Sequence, residues 1–248
     1  MCTTYNHERY VRSALEGFLL QKTNFVFEII VHDDASTDST PQIIKEYENR
    51  YPNLFRCIYR KENWFSQGKN IWEYLFLNTV KGKYIAICEG DDYWTDPLKL
   101  QKQVDLLESN EEIGLVHTDV AICYCSAKRI EQYGNKLYSK NESLYYASPK
   151  ELIEQILLGK YIIRTATVVL RTTVISNVYN EFDKVLSEHL VMKDIPTWIG
   201  CIQNSKIAYI PSVTSVYRYN DTSVTKQADY RKYFCLLYTS PSPRDTER

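Results

Sequence analysis

Glu89, Gly90, Asp91 and Asp92 bring three carboxyls into four residues, immediately after the apolar run YIAIC over 84–88. Carboxylates crowded this closely repel one another, and ordering them costs free energy unless a cation neutralises them. Gly90 permits the tight turn that brings them to one point. Carboxylate oxygens are the ligands that magnesium and manganese prefer. The run therefore reads as a strand covered on both faces, with a metal site at its carboxyl end, where open α/β sheets bind ligands. The competing reading is a solvated acidic turn that caps the next helix.

Two further polar clusters end apolar or extended segments in the same manner. Thr3, Thr4, Tyr5 and Asn6 stand before a helical pattern, and Asp33-Asp34 closes FEIIVH over 27–32. Parallel strands put their carboxyl ends on one edge, so the three clusters can meet in one crevice. Such an edge offers hydrogen-bond partners for a base and ribose at one end and carboxylates for a cation at the other. That combination suits a nucleoside diphosphate held through a divalent metal. The glycine-rich phosphate cradles GxGxxG and GxxxxGK[ST] are missing, so the metal must supply most of the positive charge.

The elements that must position these clusters follow from periodicity. Val11, Ala14, Leu15, Phe18 and Leu19 share one helical face, with Asn6 or His7 as its cap. Ser39-Thr40-Pro41-Gln42 fits a capping box opening a helix with Ile43, Ile44 and Tyr47. A strand over 55–59, a helix over 70–80 and the strand over 84–88 follow, and Asp96-Pro97 caps a helix carrying Leu100, Val104 and Leu107. This alternation predicts an α/β fold with right-handed crossovers and a mainly parallel sheet flanked by helices. Next come a strand over 113–118, a tyrosine-rich excursion over 119–147 and a second capping box, Ser148-Pro149-Lys150-Glu151. A strand over 162–170, a short helix over 194–203 and two closing strands over 206–210 and 213–219 complete the reading. No internal repeat or low-complexity linker divides the chain, so one compact domain is expected.

Composition narrows the partners. Of 248 residues, 44% are apolar and 25% charged, ordinary values for a soluble globular protein, and the net charge of −1 gives no reason to expect nucleic acid or an anionic membrane. The 21 tyrosines suit sugar-facing surfaces, although they serve equally in cores. Seven cysteines without a CxxC pair point to reduced, buried thiols and a cytoplasmic protein. No apolar run approaches the roughly 20 residues of a membrane span. The sequons at Asn141 and Asn220 carry no weight without a secretory route. Residues 1–4 read as the tail of a strand. CLLYTSPSPRD over 235–245 resembles a translated sequencing adapter, so 235–248 is expected to be a non-native tail that packs poorly.

TYNHERYVRSALEGFLLQ, FEIIVHDDASTDST and GKYIAICEGDDYWTDPLKLQKQV, in that order and spacing, resemble family 2 glycosyltransferases of the GT-A fold. The likeness is dense over 3–107 and continues through IIRTATVVLR and MKDIPTW to SVYRY. It implies a single catalytic domain over 1–234, with a nucleotide-sugar-binding half over 1–110 and a smaller acceptor-binding half over 111–234. It further implies that Thr4, Tyr5 and Asn6 line the nucleotide pocket. Asp33 or Asp34 would accept from the base imide, the other holding the turn. Asp91 and Asp92 would stand at the DxD position on Mg²⁺ or Mn²⁺, with Asp91 also at the donor. Glu89 replaces the more usual first aspartate, and Ala35 a common glycine.

The reaction implied is single-displacement, inverting and non-processive transfer from a nucleotide sugar, a UDP-sugar first, to a saccharide or lipid-linked acceptor in surface-polysaccharide synthesis. It would take place in the cytoplasm or at the inner face of the membrane. Asp194 matches the family's general base, against a plain helix N-cap, with Glu188 as its weaker competitor. Two other readings stand beside this one: a sugar nucleotidyltransferase, whose basic glycine-rich N-terminal loop is missing, and a non-catalytic nucleotide- or sugar-binding module. His7, His32, His117 and His189 are expected to pack or to lie at the surface, and Tyr93 and Trp94 to fill the core. Arg164, Thr165 and Thr167 lie where the acceptor side begins, and Arg218 would reach a phosphate or form a salt bridge.

Overall fold

A computed structural model describes residues 1–125, 129–133, 148–181 and 193–219. Glu188, His189, both sequon asparagines and the 235–248 tail lie outside the described residues. Three crossovers build the first sheet. Strand β1 (Cys2–Thr4) leads to helix α1 (Val11–Leu19), β2 (Ile29–Asp33) to α2 (Thr40–Arg50), and β3 (Phe55–Tyr59) to α3 (Ile71–Asn78). Together with β5 (Cys88–Glu89) these strands form an all-parallel sheet in the order β3-β2-β1-β5. Every residue of β2 is buried, as a strand with helices on both faces must be. Val11, Ala14, Leu15 and Phe18 of α1 are buried on it, the face the heptad-like spacing predicts.

The run over 84–88 is not one strand. Its first part, β4 (Tyr84–Ala86), pairs antiparallel with β9 (Val169–Arg171) in a second sheet, and only β5 joins β1. The change of partner falls at Ile87, which is buried and donates its N–H to Val168 O at 3.4 Å instead of to either ladder. The second sheet is mixed and runs β4-β9-β7-β10-β6, from β7 (Ile113–Tyr124), β10 (Lys206–Tyr219) and β6 (Tyr93–Trp94), with β8 (Arg129–Tyr133) on β7. Strands from residues 1–110 therefore sit in both sheets, so the two sequence halves interlock. Helix α4 (Lys99–Ser109) connects β6 to β7 of the second sheet, and α5 (Pro149–Leu157), α6 (Thr172–Glu181) and α7 (Asp194–Asn204) cover that sheet.

Other local expectations need correcting. Helix α1 is not capped by Asn6 or His7 side chains, because the chain enters it through a turn on which Tyr10 and Val11 both donate to His7 O. The Ser39 box does not form: Ser39 has φ −79° and ψ 8°, away from the extended geometry a cap requires, and Asp38 Oδ1 accepts from Thr40 N at 2.9 Å instead. The Ser148 box does form, its hydroxyl taking Glu151 N and the Glu151 carboxylate taking Ser148 N. The expected strand over 162–170 is replaced by a 3-10 turn, Thr165–Thr167, and three residues of strand. Thr167 Oγ1 bonds back to Arg164 O at 2.6 Å and competes with the ladder. The two closing strands are one, since bulges around Pro211 absorb the missing N–H while β10 stays parallel to β7.

The core has two parts: one between α1, α2, α4 and the sheets, the other under α5, α6 and α7 around Trp198, Tyr161 and Tyr179. Gly17 lets α1 rest against β6, since a Cβ there would lie 2.8 Å from Trp94 O. Cys2, Cys57, Cys88, Cys123, Cys125 and Cys201 are free thiols. Among the described residues no helix is long and apolar enough to cross a membrane.

Candidate active site

Strand register brings the three polar clusters to one edge. Thr4 pairs with Asp33 on one side, and Thr3 with Glu89 on the other. Asp34 N donates to Thr4 O at 2.9 Å, and Gly90 N to Thr3 O at 2.9 Å. The carboxyl ends of β1, β2 and β5 thus form a single rim.

On the β2 side the rim is closed by its own hydrogen bonds. Asp33 Oδ1 accepts from Thr4 Oγ1 (3.1 Å) and Ser36 Oγ (2.5 Å), and Oδ2 accepts from Ser36 N (3.1 Å). Asp34 takes the N–H groups of Trp64 and Phe65 at 2.8 and 2.9 Å, one on each oxygen. Asn6 Oδ1 accepts from Thr37 N at 2.8 Å. Ala35 sits at φ 62°, the left-handed geometry for which glycine is the unstrained choice, so alanine here carries strain. Tyr5 is half exposed.

Beside Asp34 lies a feature that the sequence reading missed. The Arg60 guanidinium lies 3.4 Å from the centre of the Trp64 ring and 4.4 Å from that of Tyr74, while its Nε donates to His32 Nε2 at 2.9 Å. Burial, and then the Arg60 charge, hold His32 neutral by pushing its pKa down to about 4. The basic and aromatic residues of YRKENW, directly after a strand, were the available signal.

On the β5 side the carboxyls are short of partners. Asp92 is buried; its Oδ1 accepts the backbone N–H of Arg218 at 2.8 Å, and its Oδ2 has no partner. Burial, then the charges of Asp91 and Glu89, push its pKa well above the carboxylate range. Glu89 is raised to about 8, by burial first and then by Asp91 and Asp194. Arg218 donates Nη1 to Asp91 O at 2.7 Å, with its guanidinium 4.3 Å from the Tyr93 ring centre, so it braces the turn through a carbonyl rather than a carboxylate. Gly90 is required by close approach: a Cβ would fall 2.4 Å from Thr4 Cγ2 and 2.9 Å from His7 Nδ1. His7, expected as packing, thus presents a buried, unpartnered nitrogen to the acidic turn.

Asp194 arrives from the other half of the chain. It is the first residue of α7, not its N-cap, which is Lys193. Burial raises its carboxyl, the Ile195 N–H and the Arg164 charge oppose that rise, and Oδ1 has no hydrogen-bond partner. Its charge reaches Glu89, and Arg164 acts on both. Two guanidiniums, those of Arg164 and Arg218, act on Glu89, Asp92 and Asp194, and a bound cation would relieve the burial and like-charge repulsion that hold these carboxyls toward their neutral form. No cluster of three or more ligating side chains stands ready among the described residues. Magnesium, however, usually takes one or two carboxylates and completes its shell with water and substrate phosphate, so the unpartnered Asp92 oxygen fits such an ion.

A cavity of about 520 Å³ opens at the opposite ends of the strands, lined by Met1, Phe27, Ile29, Ile85 and Trp94 among others, and contains none of these carboxyls. Convergent, under-partnered polar groups locate chemistry better than volume does.

The model of glycosyl transferase family 2 matches residues 2–166. The chain belongs to glycosyl transferase family 2. A Mycobacterium tuberculosis relative, the uncharacterized protein Rv1520, is 36% identical over 233 residues, which are 93% of this chain and 62% of that protein. The putative glycosyltransferase EpsH of Bacillus subtilis is 30% identical over 161 residues, 64% of this chain and 42% of its own length. The family 2 chain thus spans less than two thirds of these curated relatives.

Its fold is shared with solved structures. The mannosyltransferase PcManGT of Pyrobaculum calidifontis, in complex with GDP-Man and Mn²⁺, superposes with a TM-score of 0.62 at 16% identity, covering 98% of this chain and 65% of that one. S. aureus TarS 1–349 in complex with UDP-GlcNAc gives 0.60 at 17% identity, covering 92% and 60%. The α/β fold with a mainly parallel first sheet is therefore of the GT-A type. Within this family 2 chain Trp94 is core: it is buried, packs edge-on to Phe18 and donates to Ala166 O. His117 is likewise buried against Tyr161 and Tyr209.

Proposed function

We propose that the chain transfers a sugar, with inversion and one unit at a time, from a nucleotide-sugar donor to a saccharide or lipid-linked acceptor in cell-surface polysaccharide assembly. It would act in the cytoplasm or at the inner face of the membrane. The observation that carries this reading is the meeting, on one sheet edge, of an under-partnered acidic turn with a desolvated carboxyl from the other half of a family 2 chain. The nucleotide sugars bound by TarS and PcManGT support the donor class, with a UDP-sugar the first choice.

Thr4, Tyr5 and Asn6 with Asp33 and Asp34 form the floor under the nucleoside, where one of the two aspartates accepts from the base while the other holds the Ala35 turn. Asp91 and Asp92, with the donor phosphates, would hold Mg²⁺ or Mn²⁺, which neutralises the diphosphate and eases its departure. Arg218, fixed between Tyr93 and the Asp91 carbonyl, adds positive charge on the same side. Asp194 takes the proton of the acceptor hydroxyl as that oxygen attacks the anomeric carbon. Its Oδ1 is buried and has no hydrogen-bond partner among the described residues.

A thermal-shift screen of UDP-, GDP- and dTDP-sugars with and without Mn²⁺ tests the donor side. One nucleotide should stabilise the chain in a metal-dependent way. Asp194→Asn should keep that shift and lose transfer by about 10²–10⁴-fold. Pyrophosphate release from a sugar phosphate and a nucleoside triphosphate, or binding without any transfer, overturns the reading.

A further inference from the structure

The acidic turn is gripped by a strand from the far end of the described chain. Strand β10 pairs antiparallel with β6, Val216 opposite Tyr93 and Ser215 opposite Trp94, and Arg218 stands two residues further on. The Arg218 backbone N–H donates to Asp92 Oδ1 at 2.8 Å, and its Nη1 donates to Asp91 O at 2.7 Å. One residue thus holds a carboxyl oxygen of Asp92 with its main chain and the peptide of Asp91 with its side chain. The guanidinium is held in turn by two rings. It lies 4.3 Å from the ring centre of Tyr93 and 5.2 Å from that of Tyr10, the residue that leads into α1.

The register of β10 is what brings Arg218 there. From Ile210 to Ser215 this strand advances five residues while β7 advances two, from Thr118 to Val120. The surplus is taken up in bulges, and beyond them the pairing is regular as far as Tyr219 opposite Tyr124. A bulge bends its strand and re-aims the side chains that follow, and a slip of one residue turns each of them to the other face. Such a slip would take the Arg218 N–H off Asp92. The bond matters because Asp92 is only 1% exposed and its Oδ2 has no partner. With Oδ1 tethered, Oδ2 is the oxygen left for a cation, and the tether decides which way it faces.

We propose that Arg218 is the positioning residue of the acidic turn. Its N–H orients the Asp92 carboxyl so that Oδ2 is presented to a divalent cation, and its guanidinium, shelved on Tyr93 and Tyr10, holds the Asp91 peptide beside it. Groups that orient ligating carboxylates from behind tune metal affinity nearly as strongly as the ligands themselves. Arg218 acts through these carboxylates rather than by a bond to the donor phosphates. The proposal rests on the reading of Asp91 and Asp92 as the metal carboxylates and names what orients them.

The test uses the whole chain and Mn²⁺ alone as the probe, with free Mn²⁺ counted by electron paramagnetic resonance. Arg218→Met keeps the backbone N–H and removes the guanidinium; it should weaken Mn²⁺ binding by about 10-fold. The metal-free melting temperature should fall by no more than about 4 °C, the loss of one hydrogen bond in a chain of this size. Arg218→Lys can still donate to the Asp91 carbonyl and should recover most of the affinity. Tyr93→Leu removes one shelf, should act in the same direction by less, and replaces Arg218→Met if that variant does not fold. In transfer assays with the donor found in the screen, excess Mn²⁺ should recover most of what Arg218→Met loses. If it recovers nothing, Arg218 serves the phosphates directly and the proposal falls. If the wild type binds Mn²⁺ and both variants bind it equally well, the proposal falls while the metal reading stands; if the wild type binds none, both fall. If Mn²⁺ binding responds as expected but the wild type transfers no sugar, the transfer reading falls and the positioning role stands.

Discussion

At the end of β2, Asp33 and Asp34 spend their four oxygens on Thr4, Ser36, Trp64 and Phe65. At the end of β5, one strand beyond β1, Asp92 has a single backbone donor and an orphaned oxygen, and Glu89 is held near neutrality by burial and like charge. Both are acidic pairs on the same rim. The first is satisfied by the protein and serves as architecture. The second is left unsatisfied, and its cost persists until something positive arrives. Acidic composition alone does not distinguish an organiser from a site; the count of donors does.

The largest consequence concerns Asp92. Asp92→Ala should reduce transfer by about 10³-fold or more, while the ligand-free melting temperature holds or rises because a buried, repelled carboxyl is gone. Asp34→Ala should do the reverse to stability, leaving two N–H groups without acceptors at about 1–3 kcal/mol each. Calorimetry on both variants breaks the comparison if Asp34→Ala melts with the wild type or Asp92→Ala melts well below it.

The next effect is in pH. Glu89 rises from 4.5 to about 8 on folding, so the native chain keeps a proton that the unfolded chain releases. Its contribution is complete below pH 4.5 and is lost as pH climbs through about 8. Measured as the stability difference between wild type and Glu89→Gln, which cancels His32, His117 and Lys99, the wild type should lose ground steadily across that window. A flat difference would mean that the turn is not desolvated. The smallest effect belongs to the satisfied pair: Ala35→Gly relieves the left-handed backbone and should stabilise by about 1 kcal/mol, read from denaturant midpoints.

Much of the fold was legible because its signals are local. The helical faces of α1 and α4, the Ser148 box and the strand–helix alternation depend on residues a few positions apart. The failures share a cause, which is competition from residues far away in sequence. YIAIC is uniform in composition, yet it divides at Ile87 because Val168 draws its N–H. The β-branched run over 162–170 turns at Thr165–Thr167 because Trp94, Lys99 and Gln103 take its carbonyls. Ser39 loses its cap to Asp38, which also reaches Glu8 N from the other side of the rim.

By itself the sequence determined the family, the parallel first sheet and the acids on its rim, since periodicity, capping and motif order are written in neighbouring residues. Only the tertiary structure decided which acids are already satisfied, and that His7 and Arg60 stand beside them. Partnership and desolvation are properties of what surrounds a group, and those surroundings come from chain segments up to 127 residues away, as in the bond from Arg218 to Asp91.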